Sequence, residues 1–174
     1  MKVINLGEKN SVLNRFMAEI RDKAIQKDSL RFRRNLERLG EIFAYEISKT
    51  LNYSEKQFVT PLGIANISTP DDQIVASTIL RAGLPLHQGI LNFFDGAQNA
   101  FIAAYRKYDK GEDFHINIEY ASTPDLEGKT LILADTMLAT GASLEIAYKR
   151  LCEEGEPFHT HLVCPVASAY AVEY

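Results

Sequence analysis

Three observations predict an α/β fold with a mostly parallel sheet flanked by helices. Apolar runs of strand length recur along the chain, at residues 74–80, 101–105, 131–134 and 161–166. Helix-patterned segments separate most of them, the alternation that covers both faces of a parallel sheet. The runs at 74–80 and 131–134 are β-branched or apolar almost throughout, as strands buried on both faces are. With 174 residues the chain suits one domain, residues 1–174, with a sizeable core.

The first fifty residues carry the helical signal. Val12, Phe16, Ala18 and Ile20 precede a charged break at 22–28. Ser29 is then expected to cap a longer helix, with Phe32, Leu36, Leu39, Ile42, Phe43 and Ile47 at three- and four-residue spacing. Its other face, with Arg33, Arg34, Glu37, Arg38 and Glu41, reads as solvated and stitched by local ion pairs. Phe58, Val59, Leu62, Ile64 and Ile67, interrupted by Pro61 and Gly63, read as a β-hairpin arm outside the core.

The strand at 74–80 runs into Arg81-Ala82-Gly83-Leu84-Pro85, and Pro85 suits the first turn of a helix reaching Phe94. The strand at 101–105 ends at Arg106. Polar residues 107–113, and the alternation of His115, Asn117 and Glu119 with Ile116, Ile118 and Tyr120, then predict a solvent-facing hairpin. It reads equally as a lid or as a dimer arm over residues 108–118. The strand at 131–134 leads to a helix over 143–153 that stops at Gly155. The strand at 161–166 is expected to be buried, and 167–174 begins another helix.

Composition narrows the function. A net charge of −4 counts against a general nucleic-acid binder, and no apolar run is long enough to span a bilayer, so a cytoplasmic protein is expected. Cys152 and Cys164 are too few and too far apart for a disulfide scaffold or a zinc site and read as free thiols. His159 and His161 share one face of a strand, a spacing that suits a metal, but no third ligand stands nearby.

The segment 131–143 carries the chemistry. An apolar strand ends at Asp135 and crosses Thr136, Met137, Leu138 and Ala139 to Thr140-Gly141-Ala142-Ser143, where a helix opens. Thr140 or Ser143 is the expected cap. Unpaired amides and the positive end of the helix dipole at such a place favour a phosphate. One arginine at a strand end is an ordinary surface residue. Arg81, Arg106 and Asp135 together, at strand ends of one sheet, make a site for a polyanion.

Residues 135–143 closely resemble the phosphoribosyl-diphosphate loop of the type I phosphoribosyltransferases, in the single-acid form of the uracil phosphoribosyltransferases. Residues 79–84 resemble that family's diphosphate loop, Tyr105-Arg106 its second arginine position, and 31–33 with 44–46 its N-terminal helix. The blocks follow family order over most of the chain. Thr136 stands where the family usually has proline, and Gly141-Ala142 where it usually has two glycines. The family's Gly-, Asp- and Pro-rich base-reading segment falls beyond Tyr174, so the domain is expected to continue past it, and no residue here is assigned to uracil.

The resemblance implies transfer of ribose 5-phosphate from phosphoribosyl diphosphate to uracil, giving UMP and diphosphate. It casts Asp135 as the catalytic acid group on the ribose side. Thr136, Met137, Leu138, Ala139, Thr140, Gly141, Ala142 and Ser143 become the 5-phosphate cradle, and Arg81 and Arg106 the diphosphate ligands. It further implies Mg²⁺ carried on substrate oxygens without a protein ligand cluster, a homo-oligomer, a purine-nucleotide effector in some members, and a non-proline cis peptide within residues 80–83. Alternatives are a ligand-sensing RNA-binding regulator on the same fold, a non-catalytic fragment, and another nucleobase specificity.

Overall fold

The computed structural model describes residues 2–108 and 114–173, with backbone alone at 105–108 and 114–117. A 3-10 turn at Leu6–Glu8 leads into α1 (Leu13–Arg21), and a second at Ile25–Lys27 into α2 (Ser29–Ser48). Leu36, Leu39, Ala44 and Ile47 form the buried stripe of α2. The cap lies one residue earlier than expected: the Asp28 carboxylate accepts from the Arg31 amide at 3.0 Å, so Ser29 is already helical. A carboxylate satisfies the orphan amide and also meets the positive helix end.

The arm is present. β1 (Tyr53–Thr60) and β2 (Gly63–Pro70) pair only with each other, antiparallel, and Val59 and Leu62 at its tip are 92% and 100% exposed. The central sheet comprises β3 (Ile74–Leu80), β4 (Gln98–Tyr108), β5 (Phe114–Ser122), β6 (Thr130–Ala134) and β8 (His159–Val163). Its order is β5-β4-β3-β6-β8, parallel except for the antiparallel β4–β5 pair. Between these lie α3 (Leu84–Leu91), β7 (Met137–Leu138) and α4 (Ala142–Cys152), and β9 (Val166–Ala167) and α5 (Ala169–Glu173) follow β8.

The core has two halves, one on each face of the sheet. Ile74, Ala76, Ile132 and Ala134 pack with the apolar residues of α1, α2 and α3. Val75, Leu131, Leu133, Ala100 and Ile102 pack with Leu144, Ala147 and Leu151 of α4. Alternate residues of β3 and β6 therefore feed opposite cores, which is why neither strand shows a polar face. Helices α2 and α3 touch backbone to backbone. A Cβ on Gly40 would stand 2.2 Å from the Leu86 carbonyl oxygen, and one on Gly89 1.9 Å from that of Glu37. His87 of α3, buried, lies 2.8 Å from Asn99 Oδ1 of β4 through Nε2, tying the helix to the sheet.

Two expectations need correction. The run at 161–166 is not a buried strand: β8 covers His159–Val163, pairs only with β6, and leaves Leu162 42% exposed. It is an edge strand of this sheet. Residues 166–167 belong to a separate two-stranded piece with β7. The polar side of α2 has the expected local ion pair, Arg34 with Glu37, but it is not wholly solvated. Glu19 is buried between α1 and α2, where it accepts from Arg31 Nε and Nη2 at 2.9 and 2.8 Å and from Asn35 Nδ2 at 2.7 Å. Glu37 and Glu41 accept from Asn92, just past α3, at 3.2 and 2.8 Å.

The Arg31 guanidinium and the Asn35 amide hold the Glu19 carboxyl at about 2, against 4.5 for an unperturbed glutamate. A carboxyl lowered on folding stabilises the fold above its unfolded value, and that contribution is lost as pH falls from 4.5 toward 2. Thermal midpoints measured across that window should fall more steeply for the parent chain than for Glu19→Gln. Parallel curves would remove Glu19 from the acid response.

Candidate active site

β3 and β6 are paired neighbours whose chains leave in opposite directions. After β3 the chain crosses one face through α3 to β4, and after β6 it crosses the other face through α4 to β8. Such a switch point opens a crevice at the strand C-termini. Pairing between the two strands ends with Thr78 opposite Ala134, and β3 continues to Leu80 beside β4 alone. Arg81 and Asp135 follow directly, so the crevice has one of them on each lip.

Arg81 is exposed, and the Leu80–Arg81 peptide is cis, within the stretch where the resemblance expects one. The turn that follows is tight. A Cβ on Gly83 would lie 2.0 Å from Thr78 Oγ1 and 2.9 Å from the Ile79 carbonyl oxygen, so position 83 admits no side chain. Leu84 N bonds the Arg81 carbonyl at 3.3 Å and His87 N that of Gly83 at 2.9 Å, which starts α3 with Pro85 in its first turn.

Asp135 is half-buried. Its Oδ1 accepts from the Thr136 amide at 2.7 Å. Burial pushes its carboxyl up, and the Thr136 and Met137 amides partly offset this. Cys164, a free thiol just past β8, lies close enough to feel that charge: burial and Asp135 push it up to about 11. It stays protonated, so it offers no nucleophile at neutral pH.

Beyond Thr136, Met137 and Leu138 form β7 beside Val166 and Ala167. Ser168 completes the lacing. Its amide donates to the Leu138 carbonyl at 2.9 Å, its hydroxyl donates to the Ala139 carbonyl at 2.6 Å, and the same oxygen accepts from Ala171 N at 3.0 Å. Thr140 is exposed. Neither it nor Ser143 caps α4. The N-cap is Gly141 at φ 83°, without a side-chain bond, because only glycine takes that conformation freely. Ala142 and Ser143 are the first helical residues, and the first-turn amides have no acceptor within the helix.

The sheet therefore brings Arg81, Asp135 and residues 136–143 to one edge. Arg106 differs from expectation: it lies inside β4 opposite Ile116, three residues past the last one paired with β3, on a ribbon that projects beyond the strand end. Its side chain, and residues 109–113 of the expected 108–118 hairpin, lie outside the described residues. The His159 and His161 rings meet at 4.5 Å, but no trio of potential metal ligands occurs among the described residues. Sequence reasoning missed Thr78, Cys164 and Ser168. Thr78, like Ser77 beside it, could have been noticed as a hydroxyl in a mostly apolar strand.

A family model described as uracil phosphoribosyltransferase matches residues 8–174. Uracil phosphoribosyltransferases of two Porphyromonas gingivalis strains are 54% identical over all 174 residues, which cover 81% of their length. That of Methanothermobacter thermautotrophicus is 35% identical over 153 residues, covering 87% of this chain and 69% of the relative. Among solved structures, the AQ2163 protein from Aquifex aeolicus matches at a TM-score of 0.82 and 27% identity, over 95% of this chain and 77% of that one. A purine phosphoribosyltransferase from Pyrococcus horikoshii matches at a TM-score of 0.56 and 15% identity over 78% and 74%, a likeness of fold.

Removing the Ser168 hydroxyl tests the lacing. Ser168→Ala should cost about 1 kcal/mol, since it deletes a cap and a bond to a loop carbonyl. Amide exchange at Ala171 should also accelerate. An unchanged exchange pattern would show that the backbone pairing alone holds the loop.

Proposed function

The chain belongs to the uracil phosphoribosyltransferase family, and on that footing we propose that it transfers ribose 5-phosphate from phosphoribosyl diphosphate to N1 of uracil, forming UMP and releasing diphosphate in pyrimidine salvage. The observation that carries this reading is the crevice between β3 and β6, with Arg81 on one lip, and Asp135 and the amide-lined start of α4 on the other.

The chemistry accounts for the residue types. Cleavage of the C1–O bond builds positive charge on the ribose and negative charge on the departing diphosphate, and N1 of uracil bonds C1 as its proton leaves. Transition-state stabilisation thus needs charges at both ends and no protein nucleophile. Asp135 hydrogen-bonds the ribose hydroxyls and stabilises the cationic ring. Its partial burial strengthens that interaction by excluding water. The amides of 137–143 and the Thr140 and Ser143 hydroxyls cradle the 5-phosphate, consistent with an N-terminus that has no side-chain cap of its own. Arg81 and Arg106 take the diphosphate, a task suited to forked donors. The 108–118 hairpin serves in this reading as lid or dimer arm.

The donor set fits Mg²⁺, which binds one or two carboxylates together with substrate phosphate oxygens and water. Asp135 is the residue that would hold it alongside those oxygens, and the ion supplies charge neutralisation of the leaving diphosphate when bound. Residues 1–174 belong to one phosphoribosyltransferase domain, which continues past Tyr174 in this reading and works in the cytoplasm. Among the described residues no helix is long and apolar enough to cross a membrane. A homo-oligomer is supported by the apolar arm, where Val59, Leu62 and Ile64 stand in solvent. A purine-nucleotide effector rests on the family resemblance.

The test is formation of UMP and diphosphate from uracil and phosphoribosyl diphosphate with Mg²⁺ by the full-length protein. Asp135→Asn should lower kcat roughly a hundredfold or more. A nucleotide made from another base but not uracil would move the specificity. No nucleotide from any base would leave the RNA-binding regulator or the non-catalytic fragment, the first of which the net charge of −4 disfavours.

A further inference from the structure

We infer that Thr78 is a positioning residue that fixes both lips of the crevice to one another through a single side chain. It sits on β3 at the last register position shared with β6, opposite Ala134, and is fully buried. Past this point β3 and β6 no longer pair. Thr78 Oγ1 donates to that carbonyl at 3.1 Å. On the far side of the same peptide, the Asp135 amide donates to the Val163 carbonyl of β8 at 3.0 Å. The peptide that carries Asp135 is therefore held from both neighbouring strands, with the Thr78 side chain adding to the pairing on the β3 side.

The same hydroxyl supports the opposite lip. The turn from Arg81 to Leu84 folds down until Gly83 rests on Thr78, so closely that a Cβ there would stand 2.0 Å from Oγ1 and 3.3 Å from Thr78 Cβ. Gly83 has an ordinary φ of −72°. Glycine is needed there for room and not for conformation, and the room is taken up by Thr78. A strand residue that only filled the core would be aliphatic at this position, as Ala76 and Ile74 on the same face are. A hydroxyl with one acceptor and one close backbone neighbour instead sets the height of the arginine turn relative to Asp135.

The inference rests on the proposed reaction: the two lips must hold opposite ends of one substrate, and an error of about 1 Å in such a placement can cost a hundredfold in rate. Thr78→Val keeps shape and volume and removes the bond. The Ala134 carbonyl then loses its side-chain donor.

The experiment compares the full-length parent with Thr78→Val, Thr78→Ala and Thr78→Ser in steady-state kinetics, alongside their thermal midpoints. Thr78→Val should lower kcat/KM for phosphoribosyl diphosphate about tenfold or more, with KM for uracil within about twofold of the parent, and Thr78→Ser should recover most of the loss. Should the valine protein fail to fold, the alanine variant, which adds no bulk, carries the same expectation. A lowered midpoint with unchanged kinetics in the folded hydroxyl-free variant would overturn the inference and leave Thr78 as a core residue. Equal losses for serine and valine would overturn it too. A parent protein that makes no nucleotide would overturn the proposed function itself. Calorimetric titration with phosphoribosyl diphosphate then decides the inference, which requires weaker binding by Thr78→Val than by parent and is overturned by equal or absent binding.

Discussion

Parallel pairing of β3 with β6 is the constraint on which the rest of the molecule depends. β3 goes on to β4 on one side of the pair and β6 to β8 on the other, so right-handed crossovers carry their connections over opposite faces. That requirement separates the two loops and opens a crevice between them. Backbone groups that were paired inside the sheet become available at its edge, and the start of α4 adds a further row of amides. A polar site thus arises beside strands that are fully buried, at little cost to the core.

The loops that frame the crevice are held from beneath and behind. Gly83 rests on Thr78, Asp135 is clamped through its own amide and the preceding carbonyl, and Ser168 with β9 laces residues 137–139. Charge is arranged in the same spirit. Burial raises the Asp135 carboxyl, two loop amides lower it, and burial together with that charge raises the neighbouring Cys164 thiol. A carboxylate kept partly dry and bonded to its own loop is oriented before substrate arrives, which is what electrostatic catalysis of a cationic transition state requires.

Much of this was legible in the residues. The mostly apolar, β-branched run at 74–80 and the apolar run at 131–134 announced central strands, and Arg81 and Asp135 followed from where those runs end. Pro85 marked the first turn of α3, and the arm was readable from Pro61 and Gly63 between apolar residues. The caps were not. Asp28 and Ser29 are both good N-caps, and local chemistry does not choose between them. Gly141 took the cap of α4 because the loop demanded a positive φ, a requirement set by β7 pairing with a segment 29 residues away. Long-range pairings such as β7 with β9, and the burial of Glu19 among residues of two helices, leave no local trace in the pattern.

Amide hydrogen exchange with and without phosphoribosyl diphosphate and Mg²⁺ tests the central claim most directly, because it reports where the ligand sits without relying on turnover. Ligand should slow exchange at residues 81–84 and 136–144, the two lips of the β3–β6 crevice, and leave the arm at 53–70 unchanged. Protection that spared both lips and appeared elsewhere on the sheet would contradict the assignment of this crevice as the phosphoribosyl diphosphate site.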